Sequence, residues 1–589
     1  MQQMGKAREF LNRDHSWRYD AVILSISFIF HAILWWYLKT HYAFVYSMSD
    51  DMLYRDMING VLYGKITHNI IYQHWFSVML SWLYTTFPTL EWCGMLTIFV
   101  NFISGVTIYY CICKLAKTIP SLIVANGAYA LFLLAYVRRL VYPTYTEIVA
   151  FLCAATILLY FTAVKRGGHS KVVYRTSVLI CVLYVILGYS WRSESFLMMA
   201  PFALAVWGAL FVFGDKQKRI RAGVFAGVVL VVLGSIIVEN KIAYSMEPHD
   251  KIMTYYDAKI AMTDYSQIPL YEEAAGKYDE FGVSEQAATF LYNRAYPLAP
   301  DYNVDGFVKM GEYVGSMKRQ VLLSDMWGLF GETFAFQNMG LLGGIAGAAL
   351  LFAVLLALVS RDQSAIVGLL FHGLAYLVVT AYLVYRGRIP DRIIVMAYMI
   401  LFWICIVYVI CAADKLFAMT KHRWPKASMI SVPLALVMVF SWTVIQNKPH
   451  CETEMQELKH LYRIFADRER GFTQYFNEND ENFYLTTPFL WGTGGYITVT
   501  AQESADNYAF VSGYMIMVPE WAETLKRNGI DPDGILESAA SNNKIHFIFD
   551  SGDKILVELM QEYLDKNHGG KKMVQVDEMI DGFPVYHVE

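Results

Sequence analysis

This chain predicts a polytopic α-helical membrane protein that ends in a soluble α/β domain. Three observations predict it. Of 589 residues, 56% are hydrophobic and only 17% charged, too apolar a balance for a soluble chain of this size. The apolar residues gather into about eleven runs of roughly 18 residues or more, the length that crosses a bilayer as a helix. From about residue 447 the composition turns soluble, and strand-like stretches alternate with helix-like ones.

Residues 1–20 form a basic tail with Lys6, Arg8, Arg13 and Arg18. The first apolar run is long and has no small-residue cleavage site, so it is read as a retained anchor. Spans are expected near 21–38, 92–116, 119–137, 147–164, 172–191, 195–213, 221–239, 340–359, 364–385, 391–412 and 428–446. Together 21–446 make the transmembrane domain. Every second loop is rich in Lys and Arg: Lys114 and Lys117; Lys165, Arg166, Lys171 and Arg175; Lys216, Lys218, Arg219 and Arg221; Arg361; Lys415, Lys421, Arg423 and Lys426. The positive-inside rule makes these loops and the N-terminus cytoplasmic. An odd number of spans then places the C-terminal domain outside, along with the loops at 39–91 and 240–338.

The first span ends in Trp35, Trp36 and Tyr37, rings of the kind found at the membrane interface. The loop at 39–91 then opens with Ser49, Asp50 and Asp51. Ser49 reads as a helix cap, and the two acids fall in the first turn, where the positive end of the helix dipole favours anions. An ordinary helix start explains them equally well at this level. The helix should stop near Gly60 or Gly64. Ile70–Phe87 is apolar but begins with Gln73 and His74, and is expected to lie along the surface as an interfacial helix. His68 and His74 have no acidic partner near in sequence, which makes them a weak metal signal.

The outer connections hold six arginines that depart from the charge rule: Arg138, Arg139, Arg192, Arg386, Arg388 and Arg392. Snorkelling toward lipid headgroups explains any one of them. Six on the same face as the acid pair favour a site for phosphate or pyrophosphate, which guanidinium forks bind bidentately. Glu194 sits two residues after Arg192 and either neutralises it or aims it at a ligand. Pro390 suits the first turn of the span that follows.

The loop at 240–338 is too long to be a mere connection. It is rich in tyrosine, among them Tyr244, Tyr255, Tyr265, Tyr278, Tyr296 and Tyr302, with Asp264 and other acids interspersed. Rings and carboxylates suit carbohydrate, and they suit a packed cap as well. Ser284 should start a short helix ending before Pro297. In the soluble domain, 447–589, Glu452–Phe476 reads as an amphipathic helix. Strands are expected at Phe483–Thr486, Tyr508–Val511, Lys544–Asp550 and Val574–Val576, and helices at Trp521–Lys526 and Ile555–Asn567. No Walker loop, dinucleotide fingerprint or nucleophile elbow occurs there. The eight cysteines lie mostly in apolar runs, Cys451 excepted, and read as packing residues, not as a disulfide framework. No basic block interleaved with aromatics suggests nucleic acid.

A first span, an outer loop opening on Asp50 and Asp51, a surface helix, many further spans and an outer C-terminal domain together resemble the GT-C superfamily of integral membrane glycosyltransferases. The resemblance covers most of 20–446 in layout and only a few residues in motif. It implies an enzyme of the bacterial cytoplasmic membrane that takes a sugar from a polyprenyl-phosphate donor to a glycan or glycolipid acceptor of the cell envelope, among membrane lipids. It also implies that Asp50 is the general base, with Asp51 orienting the acceptor or exchanging roles with it. The six arginines would then meet the donor phosphate, and Tyr54, His68, His74 and Glu194 are candidate substrate contacts. The Trp-Trp-Asp tripeptide of oligosaccharyltransferases is absent, which argues against protein N-glycosylation. No cofactor is expected, a divalent metal being compatible with the residues but not indicated by them. The competing readings are a polysaccharide polymerase or ligase that uses a lipid-pyrophosphate glycan, and a transporter or flippase of lipid-linked sugars. The internal symmetry and broken helices typical of transporters are not evident.

Overall fold

The computed structural model describes residues 17–46, 49–166, 171–263, 268–317, 327–328, 331, 336–386, 390–420, intermittent positions from 453 to 470, and then 471–487, 506–513, 515–549, 554–578 and 582–589. Among them are ten helices long and apolar enough to cross a membrane: Asp20–His41, Trp92–Leu115, Ile119–Val141, Tyr145–Lys165, Lys171–Trp191, Ser193–Phe213, Lys216–Ala243, Gly340–Val359, Gln363–Arg386 and Asp391–Phe417. Each matches an expected span. The expected span at 428–446 lies outside the described residues, as do Cys451, Tyr265, Asp264 and Arg388.

The chain divides into two compact units, one from Met1–Phe44, Gly94–Ile236 and Val321–Lys459, the other from Val45–Cys93, Ile237–Gln320 and His460–Glu589. In the first, the helices Tyr145–Arg166 and Asp391–Thr420 lie innermost and pack on each other. Lipid supplies no hydrophobic drive for helix association, so close packing has to supply it. Two features do so. Ala346, Ala349, Ala353 and Ala357 make a buried stripe at helical spacing on Phe336–Val359, which packs on Asp391–Thr420. Phe132 then stacks with Tyr136 at 4.9 Å and meets Trp403 at 4.8 Å. Polar ties fix one end of this bundle. The Asp414 carboxylate accepts from the Thr118 hydroxyl at 2.8 Å and the Ser121 hydroxyl at 2.6 Å, and Lys114 pairs with Asp20. The six described cysteines from Cys93 to Cys405 are buried and free, in keeping with packing roles.

The second unit gathers three stretches far apart in sequence. After the first span comes the helix Ser49–Asn59, which starts at Ser49 itself, so that Ser49 is its first residue and not the cap before it. It ends where Gly60 takes φ +92°, the left-handed conformation that closes helices. The next helix is His74–Thr86. It begins four residues later than Ile70 because Asn69 turns the chain first, its side-chain oxygen accepting from the amides of Ile71 and Tyr72. From the long loop come Asp250–Thr263, Tyr271–Glu280, Glu285–Tyr292 and Val304–Ser316. Ser284 caps the third of these, as its position predicts, accepting from the Ala287 amide. Tyr244, Tyr255, Tyr278 and Tyr296 are buried, and Tyr255 stacks on Phe307 at 4.3 Å. These four serve as core, which is the packed-cap reading of the tyrosine-rich loop.

The C-terminal part holds a five-stranded sheet of β1 (Phe483–Thr486), β2 (Tyr508–Phe510), β3 (Ile545–Ile548), β4 (Met573–Glu578) and β5 (Pro584–Val588). The order is β2-β1-β3-β5-β4. The first three strands are parallel, with Tyr484 opposite both Tyr508 and His546. β5 is antiparallel to β3 and β4. β1 to β4 match expected strands. β5 and the short helix Ile535–Ser541 were not expected. The helix spans only seven residues, too few for a helical period to show, and β5 opens on Pro584, which argues against a strand.

Candidate functional site

The acid helix is amphipathic in an unusual sense. Asp51, Tyr54, Arg55 and Ile58 are spaced to share one face, and all four are buried, Asp51 at 4% and Arg55 at 3% exposure. Asp50 is half-buried, being turned about 100° from its neighbour. The two acids therefore differ in access although they are adjacent in sequence. Burying charge is costly unless it is paired, and Arg55 donates from Nε to Asp56 at 2.7 Å. Its guanidinium also lies over the Tyr46 ring, 5.6 Å from the centroid.

Tyr46 leads to a group that the sequence reading missed. Glu91, 3% exposed, accepts from the Tyr46 hydroxyl at 3.1 Å and the Tyr84 hydroxyl at 2.7 Å. Tyr84 in turn accepts from the Cys93 amide at 3.0 Å. Burial first, then the neighbouring Glu91, pushes the Tyr46 phenol well above its ordinary range, and burial does the same for Tyr84. Both phenols therefore stay protonated and donate. The available signal was an acid one residue before Trp92, at the very start of a span.

His68 and His74 also have partners that sequence distance hides. His74 Nδ1 lies 2.7 Å from Glu239 Oε1, an acidic partner 165 residues away in the chain. The His68 ring stacks on His249 at 3.4 Å and lies 4.7 Å from His74. Burial, then His249 and His74, lowers His68 to about 4. Among the described residues no group of three or more His, Cys, Asp or Glu side chains is arranged to hold a metal ion. Tyr54 is buried beside Tyr72.

The arginines belong to the other unit. The structure brings Arg192 and Arg392 over one ring, that of Tyr145, at 4.4 and 5.8 Å. Tyr145 opens the innermost helix, and two residues on, the buried Glu147 pairs with Arg139. Arg192 also donates to Glu194 at 3.1 Å, so Glu194, exposed, acts as its neutralising partner. Arg138 and Arg386 lie over nearer rings, those of Tyr142 and Tyr382. Three of the five described arginines thus gather about one helix start.

Ten crossing-length helices and a small mixed sheet define a multi-pass helical membrane protein with a C-terminal α/β domain. No family model matches the chain, and no curated protein matches it. Among solved structures it is similar to the Archaeoglobus fulgidus oligosaccharyltransferase tethered to an acceptor peptide, at 12% identity and a TM-score of 0.43, over 95% of this chain and 69% of that one. It is also similar to ArnT from Cupriavidus metallidurans, in the apo state at 11% identity and a TM-score of 0.37, over 96% of this chain and 98% of that one. The undecaprenyl phosphate-bound form of ArnT gives the same identity and score, over 97% and 98%.

Proposed function

We propose that the chain is a GT-C-type membrane glycosyltransferase that moves a sugar from a polyprenyl-phosphate donor to a glycan or glycolipid acceptor at the outer face of the cytoplasmic membrane. The observation that carries this reading is the acid pair in the first turn of a short helix just after the first span, one acid half-buried and the other buried. Asp50, the more accessible, takes the proton of the acceptor hydroxyl. The acceptor oxygen then bonds to the anomeric carbon as that carbon's bond to the phosphate oxygen breaks, and the lipid phosphate leaves. Asp51 faces inward and orients. Arg192 and Arg392, both over the Tyr145 ring, are the arginines we assign to binding a lipid phosphate.

The test is transfer in liposomes, with a labelled polyprenyl-phosphate sugar, envelope glycolipid acceptors and products read by mass spectrometry. Asp50→Asn should slow transfer by about 10²–10⁴-fold, the usual worth of a general base, with the variant still folded. Arg192→Ala should weaken donor binding. Full activity in both Asp50→Asn and Asp51→Asn would reject the reading. If activity then fell only in the arginine variants, the polymerase or ligase would take its place, and flux of lipid-linked sugar with no glycosidic product would point to a flippase.

A further inference from the structure

The turn after the acid helix carries an unexpected residue. Tyr63 has φ +57° and is followed by Gly64 at +89°. The left-handed region is natural for the glycine and strained for a tyrosine. Such a residue persists only where its surroundings hold it. Here they do so from two sides.

One side is the acid helix itself. The Leu62 amide donates to the Asp56 carbonyl at 3.0 Å, and the Ile66 amide to the Met57 carbonyl at 2.8 Å. Leu62 and Ile66 are buried. The Tyr63 turn is therefore clamped to the last turn of the helix that bears Asp50 and Asp51. The other side is the C-terminal sheet. β2 is an edge strand, and a bare edge leaves amides and carbonyls unpaired. The Val511 amide donates to Thr486 of β1, so by alternation Phe510 points its backbone groups away from the sheet. Both are taken up. The Phe510 amide donates to the Tyr63 hydroxyl at 2.7 Å, and the Trp521 indole donates to the Phe510 carbonyl at 2.8 Å. Phe510 and Tyr63 are both buried.

We propose that Tyr63 is a positioning residue through which the C-terminal sheet holds the acid helix, so that this domain sets the placement of Asp50 and Asp51. The proposal gives the domain a task in the reaction and rests on the transferase reading for its kinetic consequence only. Burial keeps the Tyr63 phenol protonated, and its oxygen can accept from the amide at any ordinary pH.

The experiment compares full-length wild type, Tyr63→Phe and Trp521→Phe by amide exchange and by transfer kinetics. Tyr63→Phe keeps the ring and removes only the acceptor. Exchange at Phe510 and across 49–59 should rise about three- to tenfold, the worth of one buried neutral hydrogen bond. The turnover number should fall with KM for the lipid donor unchanged. Trp521→Phe should loosen β2 directly and 49–59 only through it, by clearly less than Tyr63→Phe does. Faster exchange confined to β2 in Tyr63→Phe, with turnover unchanged, would mean that Tyr63 merely seals the sheet edge and would overturn the proposal. Equal loosening of 49–59 by Trp521→Phe would overturn it too. Exchange needs no substrate, so a wild type without transferase activity would remove the reading of function while exchange still decided the coupling.

Discussion

Replacing Glu91 by Gln tests whether the buried tyrosine pair depends on a charge. The side chain keeps its shape and one acceptor oxygen. What changes is the strength of two bonds, from Tyr46 at 3.1 Å and from Tyr84 at 2.7 Å. A hydrogen bond to a charged partner contributes about 1.5–3 kcal/mol and a neutral one about 0.5–1.5, so each bond loses about 1 kcal/mol and the variant about 2 kcal/mol. The amide that replaces the second oxygen adds donors at a 3% exposed position, which adds to the loss and does not offset it. Equilibrium unfolding in mixed micelles measures the total, and a double-mutant cycle with Tyr84→Phe isolates the pair. Residues in contact couple by about 0.5–3 kcal/mol, whereas independent sites add to within about 0.5. A Glu91→Gln variant as stable as wild type, or one strictly additive with Tyr84→Phe, would refute the argument.

A second prediction concerns Gly311, where an added Cβ would come within 2.4 Å of the Ala258 Cβ and 2.8 Å of the Ala258 carbonyl oxygen. Helices Asp250–Thr263 and Val304–Ser316 would have to separate, so Gly311→Ala should destabilise by about 1–3 kcal/mol; a thermal unfolding profile equal to wild type would count against the close approach. A third concerns acid. His68 is lowered to about 4 from an ordinary 6.5, and His249 is lowered by burial and by His74, opposed by Asp250. The unfolded chain therefore binds more protons than the folded one between these values. Stability should be level above about pH 6.5 and fall as pH drops from there toward 4, and His68→Gln should flatten that fall. An identical pH profile for the two proteins would show that the stack contributes nothing.

Ten spans could be placed from sequence to within a few residues because lipid imposes a demand that is local and one-dimensional: about twenty apolar residues in succession. The helix start at Ser284 was legible too, because Ser284 caps the helix it precedes. The start of His74–Thr86 was misplaced because Asn69 diverts the backbone by a side-chain bond, which competes with the helix and leaves no mark on hydropathy. β5 escaped notice because Pro584 opens it, and a proline in a short apolar run argues against a strand.

The candidate site divides in the same way. Sequence alone determined that two acids stand in the first turn of a helix after the first span, and that arginines collect at the ends of the spans, since both follow from position along the chain. Only the tertiary structure decided that Asp51 is buried and Asp50 half-buried, that Arg192 and Arg392 share the Tyr145 ring, that Glu239 reaches His74, and that an edge strand near residue 510 rests on Tyr63. Those facts depend on which residues meet after folding. Contacts between side chains hundreds of positions apart are set by the packing of whole elements, and no local period or spacing encodes them.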